Sequence, residues 1–114
     1  MNLNITHNSR VAVASVTGDI THAVSPEFQS TLLEALKGSG GLVLDCSGIG
    51  MFTSAGLRVL LLLHREAAGS GGCLILAEVP SAVRDVMEVT GFWEQFLTRP
   101  TVGEAIAALS GALP

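Results

Sequence analysis

The stretch Ile49-Gly50-Met51-Phe52-Thr53-Ser54-Ala55-Gly56-Leu57-Arg58-Val59-Leu60 decides how this chain folds. The apolar run Leu42-Val43-Leu44 precedes it and ends at Asp45-Cys46, which is typical of a strand that is covered on both faces. A leucine-rich helix of about residues 55–68 follows, and Ser54 takes its predicted N-cap position. The first turn after Ser54, Ala55-Gly56-Leu57, carries no bulky polar side chain, so the Ser54 hydroxyl is expected at an open helix N-terminus, which favours negative charge.

The remaining segments alternate between strand-like and helix-like patterns. Strands are predicted at residues 2–7, 10–17, 42–46, 73–77 and 96–97. Further helices begin at Ser25-Pro26, with Ser25 as the cap, at Pro80-Ser81, and at Thr101-Val102-Gly103-Glu104, whose spacing is that of a capping box with Thr101 as the cap. The first of these helices continues with a buried stripe at helical spacing, formed by Phe28, Leu32, Leu33 and Leu36. This order predicts an α/β fold in a single domain over residues 1–114. It has a mainly parallel, mixed sheet of about four or five strands and about four α-helices.

Composition and charge exclude several classes of function. The chain has 114 residues, of which 48% are hydrophobic and 14% are charged, so one packed core is expected. The net charge of -4, without any Lys/Arg cluster, argues against nucleic-acid binding and against direct membrane binding. The longest apolar run, 59–63, is far shorter than the roughly 20 residues of a membrane helix. With no signal-like N-terminus, a cytoplasmic location is expected.

The reactive residue types form no pattern that is typical of catalysis. His7, His22 and His64 have no closely spaced partner, so neither a metal nor another cofactor is expected. Cys46 and Cys73 lie in apolar runs and are expected to be reduced thiols. Asp45 either orients the Ser54 loop or caps nearby N–H groups, and capping is the favoured interpretation.

A hydrolytic role for Ser54 is also disfavoured. A nucleophile elbow has the pattern G-x-S-x-G, and here Phe52 replaces the first glycine. No histidine follows His64 to complete a triad in the usual order. A non-enzymatic protein is therefore expected, and a Ser54 hydrolase is kept only as a remote alternative.

The residues around Ser54 resemble the signature of STAS domains, the bacterial anti-sigma factor antagonists. The signature consists of a strand ending in Leu44-Asp45, followed by the loop Met51-Phe52-Thr53-Ser54-Ala55-Gly56-Leu57. Similar segments follow in the family's order: Val16-Thr17-Gly18-Asp19, Gly71-Gly72, Pro80-Ser81-Ala82-Val83 and Thr90-Gly91-Phe92-Trp93. The resemblance covers about residues 10–109.

The resemblance implies a phosphorylation-controlled binding module. Such a domain binds an anti-sigma factor that is also a GHKL-type serine kinase, releases it when phosphorylated, and is reset by a metal-dependent serine phosphatase. Ser54 takes the position of the phosphate acceptor, with Thr53 as the less favoured hydroxyl. The expected partner-binding residues are Ile49, Met51, Phe52, Thr53, Ser54, Ala55, Gly56 and Leu57, joined by Asp19, Thr21 and His22 from the neighbouring loop.

The sequence departs from the family pattern at the signature loop. Thr53 stands where the family usually has Asp, and Ala55 stands where Ser or Thr is usual. A binder without phosphorylation therefore stays open, as does a STAS subunit that docks on the ATPase of an ABC-type lipid or solute transporter. The oligomeric state, monomer or weak dimer, also stays open.

Overall fold

The computed structural model describes residues 1–112, which form a five-stranded sheet and four α-helices. The strands are β1 (Asn2–Asn8), β2 (Val11–Ile20), β3 (Gly41–Phe52), β4 (Leu74–Ala77) and β5 (Leu97–Arg99), and the helices are α1 (Ser25–Lys37), α2 (Ser54–Ser70), α3 (Ser81–Val89) and α4 (Val102–Ala112). The predicted α/β class and element order are confirmed. A short 3-10 helix, Trp93–Gln95, was not expected. The predicted domain limits include residues 113 and 114, which lie outside the described residues.

The strands lie in the sheet in the same order as in the chain. β1 pairs with β2 in antiparallel orientation, and β2, β3, β4 and β5 pair in parallel. Each parallel connection runs through a helix, which is how parallel neighbours are joined. The carboxyl ends of the parallel strands therefore meet at one edge of the sheet, where Ile20 of β2 is the register partner of Phe52 of β3.

Helices cover both faces of the sheet. The first face carries Ala12, Ala14, Leu42 and Leu44 in one apolar cluster with buried residues of α1, α2 and α3. The opposite face packs against Ala105 and Leu109 of α4 and includes Val11, Val13 and Val43. Because successive side chains of a strand point to opposite faces, a strand covered on both sides is apolar at every position, as β2 and β3 are near their starts.

The ends predicted for β2, β3 and β5 are wrong, and β5 extends past the predicted Leu97 to Arg99. β2 continues past Thr17 to Ile20, and β3 continues past Cys46 to Phe52. Each strand supplies hydrogen-bond partners for the polar, glycine-rich end of the other, with register shifts between Ser15 and Thr17 and again between Gly18 and Ile20. A Cβ at Gly48 would lie 2.6 Å from Thr17 Cγ2, so this pairing depends on a glycine there.

The predicted N-caps at Ser25 and Ser54 are also wrong. The N-caps are Val24 and Thr53, and both serines lie inside the first turn of their helices. Ser25 Oγ instead donates a hydrogen bond to the carbonyl oxygen of His22 at 2.9 Å. The cap predicted at Thr101 is confirmed, since its Oγ1 accepts the N–H of Glu104 at 3.1 Å.

Asp45 caps local N–H groups, as the favoured interpretation held. Its Oδ1 accepts hydrogen bonds from the backbone N–H of Ser47 at 3.0 Å and from the Ser47 hydroxyl at 2.8 Å. Its Oδ2 lies 3.5 Å from the Ser15 hydroxyl on the neighbouring strand. Asp45 therefore stabilises the irregular middle of β3 rather than the Ser54 loop.

Candidate functional site

The segment 51–54 joins the end of β3 to the start of α2, at the carboxyl edge of the sheet. The end of β2 lies beside it, because Gly18 is paired with Ile49 and Ile20 with Phe52. Ligand sites of open α/β sheets usually lie at this edge. The fold thus brings together the two groups of residues that the sequence predicted as one site, the signature loop and residues 19–22.

Thr53 ties the end of β3 to the end of β2. Its Oγ1 donates a hydrogen bond to the carbonyl oxygen of Ile20 at 2.9 Å, and its backbone N–H donates to the same oxygen at 3.2 Å. The residue is extended, with φ -108° and ψ 174°, and its side chain makes no capping bond to α2. The Thr53 hydroxyl therefore faces the sheet rather than the helix end.

Ser54 is the first residue of α2 and is exposed to solvent. None of the described residues forms a hydrogen bond with its hydroxyl. The first turn of α2 contains no acidic residue, so the positive end of the helix dipole is not neutralised from within. Ser54 combines an accessible hydroxyl with an electropositive backbone.

Burial narrows the set of residues that can touch a partner. Ile49, Phe52 and Leu57 each have 5% of their surface exposed, and Ala55 and Gly56 are buried as well. A Cβ at Gly56 would lie 2.6 Å from the Phe52 ring, so these residues pack tightly under the loop. These buried residues support the loop from the protein interior, and their side chains contribute little to its solvent-exposed surface.

Met51 is the large apolar side chain that the loop presents to solvent, with 56% of its surface exposed. Beside it Asp19 and His22 are exposed, and Thr21 is half-buried. Asp19 Oδ1 accepts the backbone N–H of Met51 at 2.8 Å. The accessible part of the site is therefore an apolar tip and a serine hydroxyl flanked by polar groups of the β2 end.

Gly50 and Arg58 belong to the site although the sequence patterns did not predict them as site residues. Gly50 lies so close to Asp19 that a Cβ there would be 2.6 Å from Asp19 Oδ1. Arg58 is exposed, lies one helical turn after Ser54, and has no ion pair among the described residues. The spacing of Ser54 and Arg58, four residues apart on a helix, is a signal that could have identified Arg58.

In the part of the chain that the structure describes, Ser54 makes none of the contacts that activate a serine nucleophile. No histidine of the described chain hydrogen-bonds Ser54, and the His64 ring packs at 5.4 Å against Phe96. Within residues 1–112, no group of three His, Cys, Asp or Glu side chains could hold a metal ion. Over the same residues no helix is long and apolar enough to cross a membrane.

Comparison with known proteins identifies the family. A family profile described as the STAS domain matches residues 2–105. BtrV of Bordetella bronchiseptica, named as an anti-sigma factor antagonist, is 31% identical over 115 residues, which cover 100% of this chain and 99% of BtrV.

Solved structures have the same fold at lower sequence identity. An anti-sigma factor antagonist from Mycobacterium paratuberculosis superposes with a TM-score of 0.86 at 23% identity, covering 96% of this chain and 93% of the other. The anti-sigma factor antagonist SpoIIAA in its unphosphorylated form gives 0.82 at 19% identity, covering 99% and 100%. Bacillus SpoIIAA in its phosphorylated form gives 0.73 at 19% identity, covering 94% and 98%. With its profile match over residues 2–105 and this fold, the chain belongs to the STAS domain family.

Proposed function

We propose that this chain is an anti-sigma factor antagonist, a non-enzymatic module that binds an anti-sigma factor and is switched by phosphorylation of Ser54. The observation that carries the proposal is the accessible Ser54 hydroxyl beside the exposed Met51 side chain. The relationship to BtrV, which extends over the whole chain, supports the choice of partner class. Such a partner is a cytoplasmic regulator of transcription, so the chain acts in the cytoplasm.

The contacts of the two neighbouring hydroxyls favour Ser54 as the phosphate acceptor. Thr53 Oγ1 is held by the Ile20 carbonyl oxygen at 2.9 Å and would have to break that bond to react. Ser54 has no such bond among the described residues, and it is more exposed. A GHKL-type serine kinase can reach its hydroxyl without disturbing the β2–β3 pairing.

A phosphate at Ser54 is compatible with the fold and unfavourable for the complex. It adds about -1.5 to -2 charges at the N-terminus of α2, where the helix dipole and Arg58 both favour an anion. The same charge must be desolvated when a partner covers Met51 and the loop. Phosphorylation therefore weakens binding at the interface, and a metal-dependent serine phosphatase restores the binding form.

The test is phosphorylation by the anti-sigma factor kinase of the same genome in the presence of Mg²⁺ and ATP, followed by mass spectrometry. We expect one phosphate, on Ser54, that is absent from the Ser54→Ala variant. Ser81→Ala is the matched control, because Ser81 is the exposed first residue of α3 and that helix also lacks a side-chain cap. Phosphate on Thr53 alone, or on neither hydroxyl, contradicts the switch.

A binding measurement with the same kinase separates the proposal from its alternatives. We expect the unphosphorylated chain to form a complex and the phosphorylated chain to lose it. Equal binding of both forms supports a binder that is not switched. Binding to the ATPase of an ABC-type transporter, with none to the kinase, supports the transporter alternative.

A further inference from the structure

The Asp19 side chain crosses from β2 to the backbone of β3. Its Oδ1 accepts the N–H of Met51 at 2.8 Å, at the point where the register between the strands shifts. Met51 is also the residue whose side chain is exposed at the tip of the loop. The carboxylate therefore holds the backbone of the residue that presents the apolar surface.

Gly50 makes this contact possible. An ideal Cβ at position 50 would lie 2.6 Å from Asp19 Oδ1 and 3.8 Å from its Cγ, and apart from the two chain neighbours it would meet no other described group within 4 Å. The φ angle of Gly50 lies outside the left-handed range, so alanine causes no backbone strain there. The space that glycine leaves at position 50 is filled by the Asp19 carboxylate.

We propose that Asp19 is a positioning residue of the site: in the space left by Gly50, its carboxylate sets where the end of β3 presents Met51, and the start of α2 presents Ser54, to the partner. The role belongs to the hydrogen bond and not to the negative charge. The inference rests on the proposed function for the partner, while the hydrogen bond itself can be tested without one.

The first test is a double-mutant cycle read by amide hydrogen exchange at Met51. We expect Asp19→Ala and Gly50→Ala each to accelerate exchange about tenfold, since each removes the same hydrogen bond. The double variant should exchange like Asp19→Ala alone, because alanine at position 50 has nothing to displace once the carboxylate is gone. Additive effects, or an unchanged Met51 amide in Asp19→Ala, overturn the proposal.

Asp19→Asn separates the hydrogen bond from the charge. The amide oxygen of asparagine can accept the Met51 N–H, so we expect exchange within about twofold of the wild type. The Leu57 amide, which donates to the Thr53 carbonyl oxygen, is the internal control and should keep its exchange rate in every variant. A loss in Asp19→Asn as large as in Asp19→Ala contradicts a hydrogen-bond role.

The second test is affinity for the anti-sigma factor kinase, measured by calorimetry on the same variants. We expect Asp19→Ala and Gly50→Ala to bind about tenfold more weakly and Asp19→Asn to bind almost as well as the wild type, with urea titrations showing that every variant is fully folded in the absence of denaturant. Altered exchange with unaltered affinity overturns the positioning role. If the exchange cycle holds and the wild-type chain does not bind the kinase, the proposed function fails instead.

Discussion

The Thr53 hydroxyl donates a 2.9 Å hydrogen bond to the carbonyl oxygen of Ile20, and so the last residue before α2 is fastened to the last residue of β2. An aspartate, which the resemblance leads one to expect here, could cap the helix but could not donate this bond. At position 53 the chain therefore has a side-chain hydrogen bond to the end of β2 instead of a side-chain cap on α2. Of the Thr53 and Ser54 hydroxyls, only that of Ser54 has no hydrogen bond among the described residues.

Replacing Thr53 by valine removes this hydrogen bond while keeping the shape of the side chain. We expect Thr53→Val to lower the free energy of unfolding by about 1 kcal/mol, which is typical of one intramolecular hydrogen bond. Urea titration measures it, and Thr53→Ser, which retains the hydroxyl, should stay close to the wild type. A valine variant as stable as the wild type would show that the bond contributes nothing.

Ser54→Asp should separate stability from binding. An acid in the first turn of α2, which has none, should raise the free energy of unfolding by about 0.3–1 kcal/mol. The same charge should weaken binding to the anti-sigma factor at least tenfold. Ser81→Asp places an acid at the same position of α3, so it should match the gain in stability without the loss of binding. Equal binding losses in both variants would contradict a role specific to Ser54.

Alanine substitutions at two glycines of α2 should change the free energy of unfolding in opposite directions. Alanine is favoured over glycine in helices, and apart from its chain neighbours and the adjoining helix backbone, no described atom lies within 4 Å of an ideal Cβ at Gly69, so Gly69→Ala should stabilise the protein by about 0.5 kcal/mol. At Gly56 the added Cβ would lie 2.6 Å from Phe52 Cε1 and 2.9 Å from Ile20 Cγ2. We therefore expect Gly56→Ala to destabilise it by about 1–3 kcal/mol. Thermal and urea unfolding test both, and a stabilised Gly56→Ala would refute the tight packing under the loop.

The Cys46 thiol should make stability depend on pH in alkaline solution. Burial raises its pKa from 9.0 to about 12, and the nearby Asp45 charge adds to the rise. The unfolded chain releases this proton at lower pH than the folded chain does. The free energy of unfolding should therefore fall by about 1.4 kcal/mol per pH unit between about pH 9 and 12, and keep the full Cys46 contribution below pH 9.

Cys46→Ala is the control for this pH dependence. Its free energy of unfolding should fall less steeply than that of the wild type over the same interval, because the titrating group is gone. Urea titrations at several pH values measure both slopes. Parallel curves would mean that Cys46 is not protonated more tightly in the folded chain.

Local patterns were enough to predict the order of the elements. The helical spacing of Phe28, Leu32 and Leu36 predicted α1, and the continuous apolar run at 42–44 predicted a strand buried on both faces. Each pattern shows which side chains of a single helix or strand are buried, so a few neighbouring residues are enough to detect it. The motif around Ser54 likewise identified the loop that carries the candidate site.

The ends of β2 and β3 could not be predicted from such local patterns. Gly48 and Gly50 are typical of a loop, yet they belong to β3, where Gly48 is paired with Thr17 of β2 and Asp19 fills the space beside Gly50. The sequence also did not show which apolar side chains of the loop are exposed, since Phe52 is buried and its neighbour Met51 is exposed.

By itself, the sequence determined the α/β class, the order of strands and helices and the position of the serine at the start of α2, because periodicity, glycines and helix-terminal residues act over a few neighbouring positions. Only the tertiary structure decided that Thr53 is bonded to Ile20, that Asp19 accepts the Met51 N–H and that, among the described residues, the Ser54 hydroxyl has no hydrogen bond whereas that of Thr53 has one. These contacts join residues more than thirty positions apart, and they form only once β2 and β3 lie side by side.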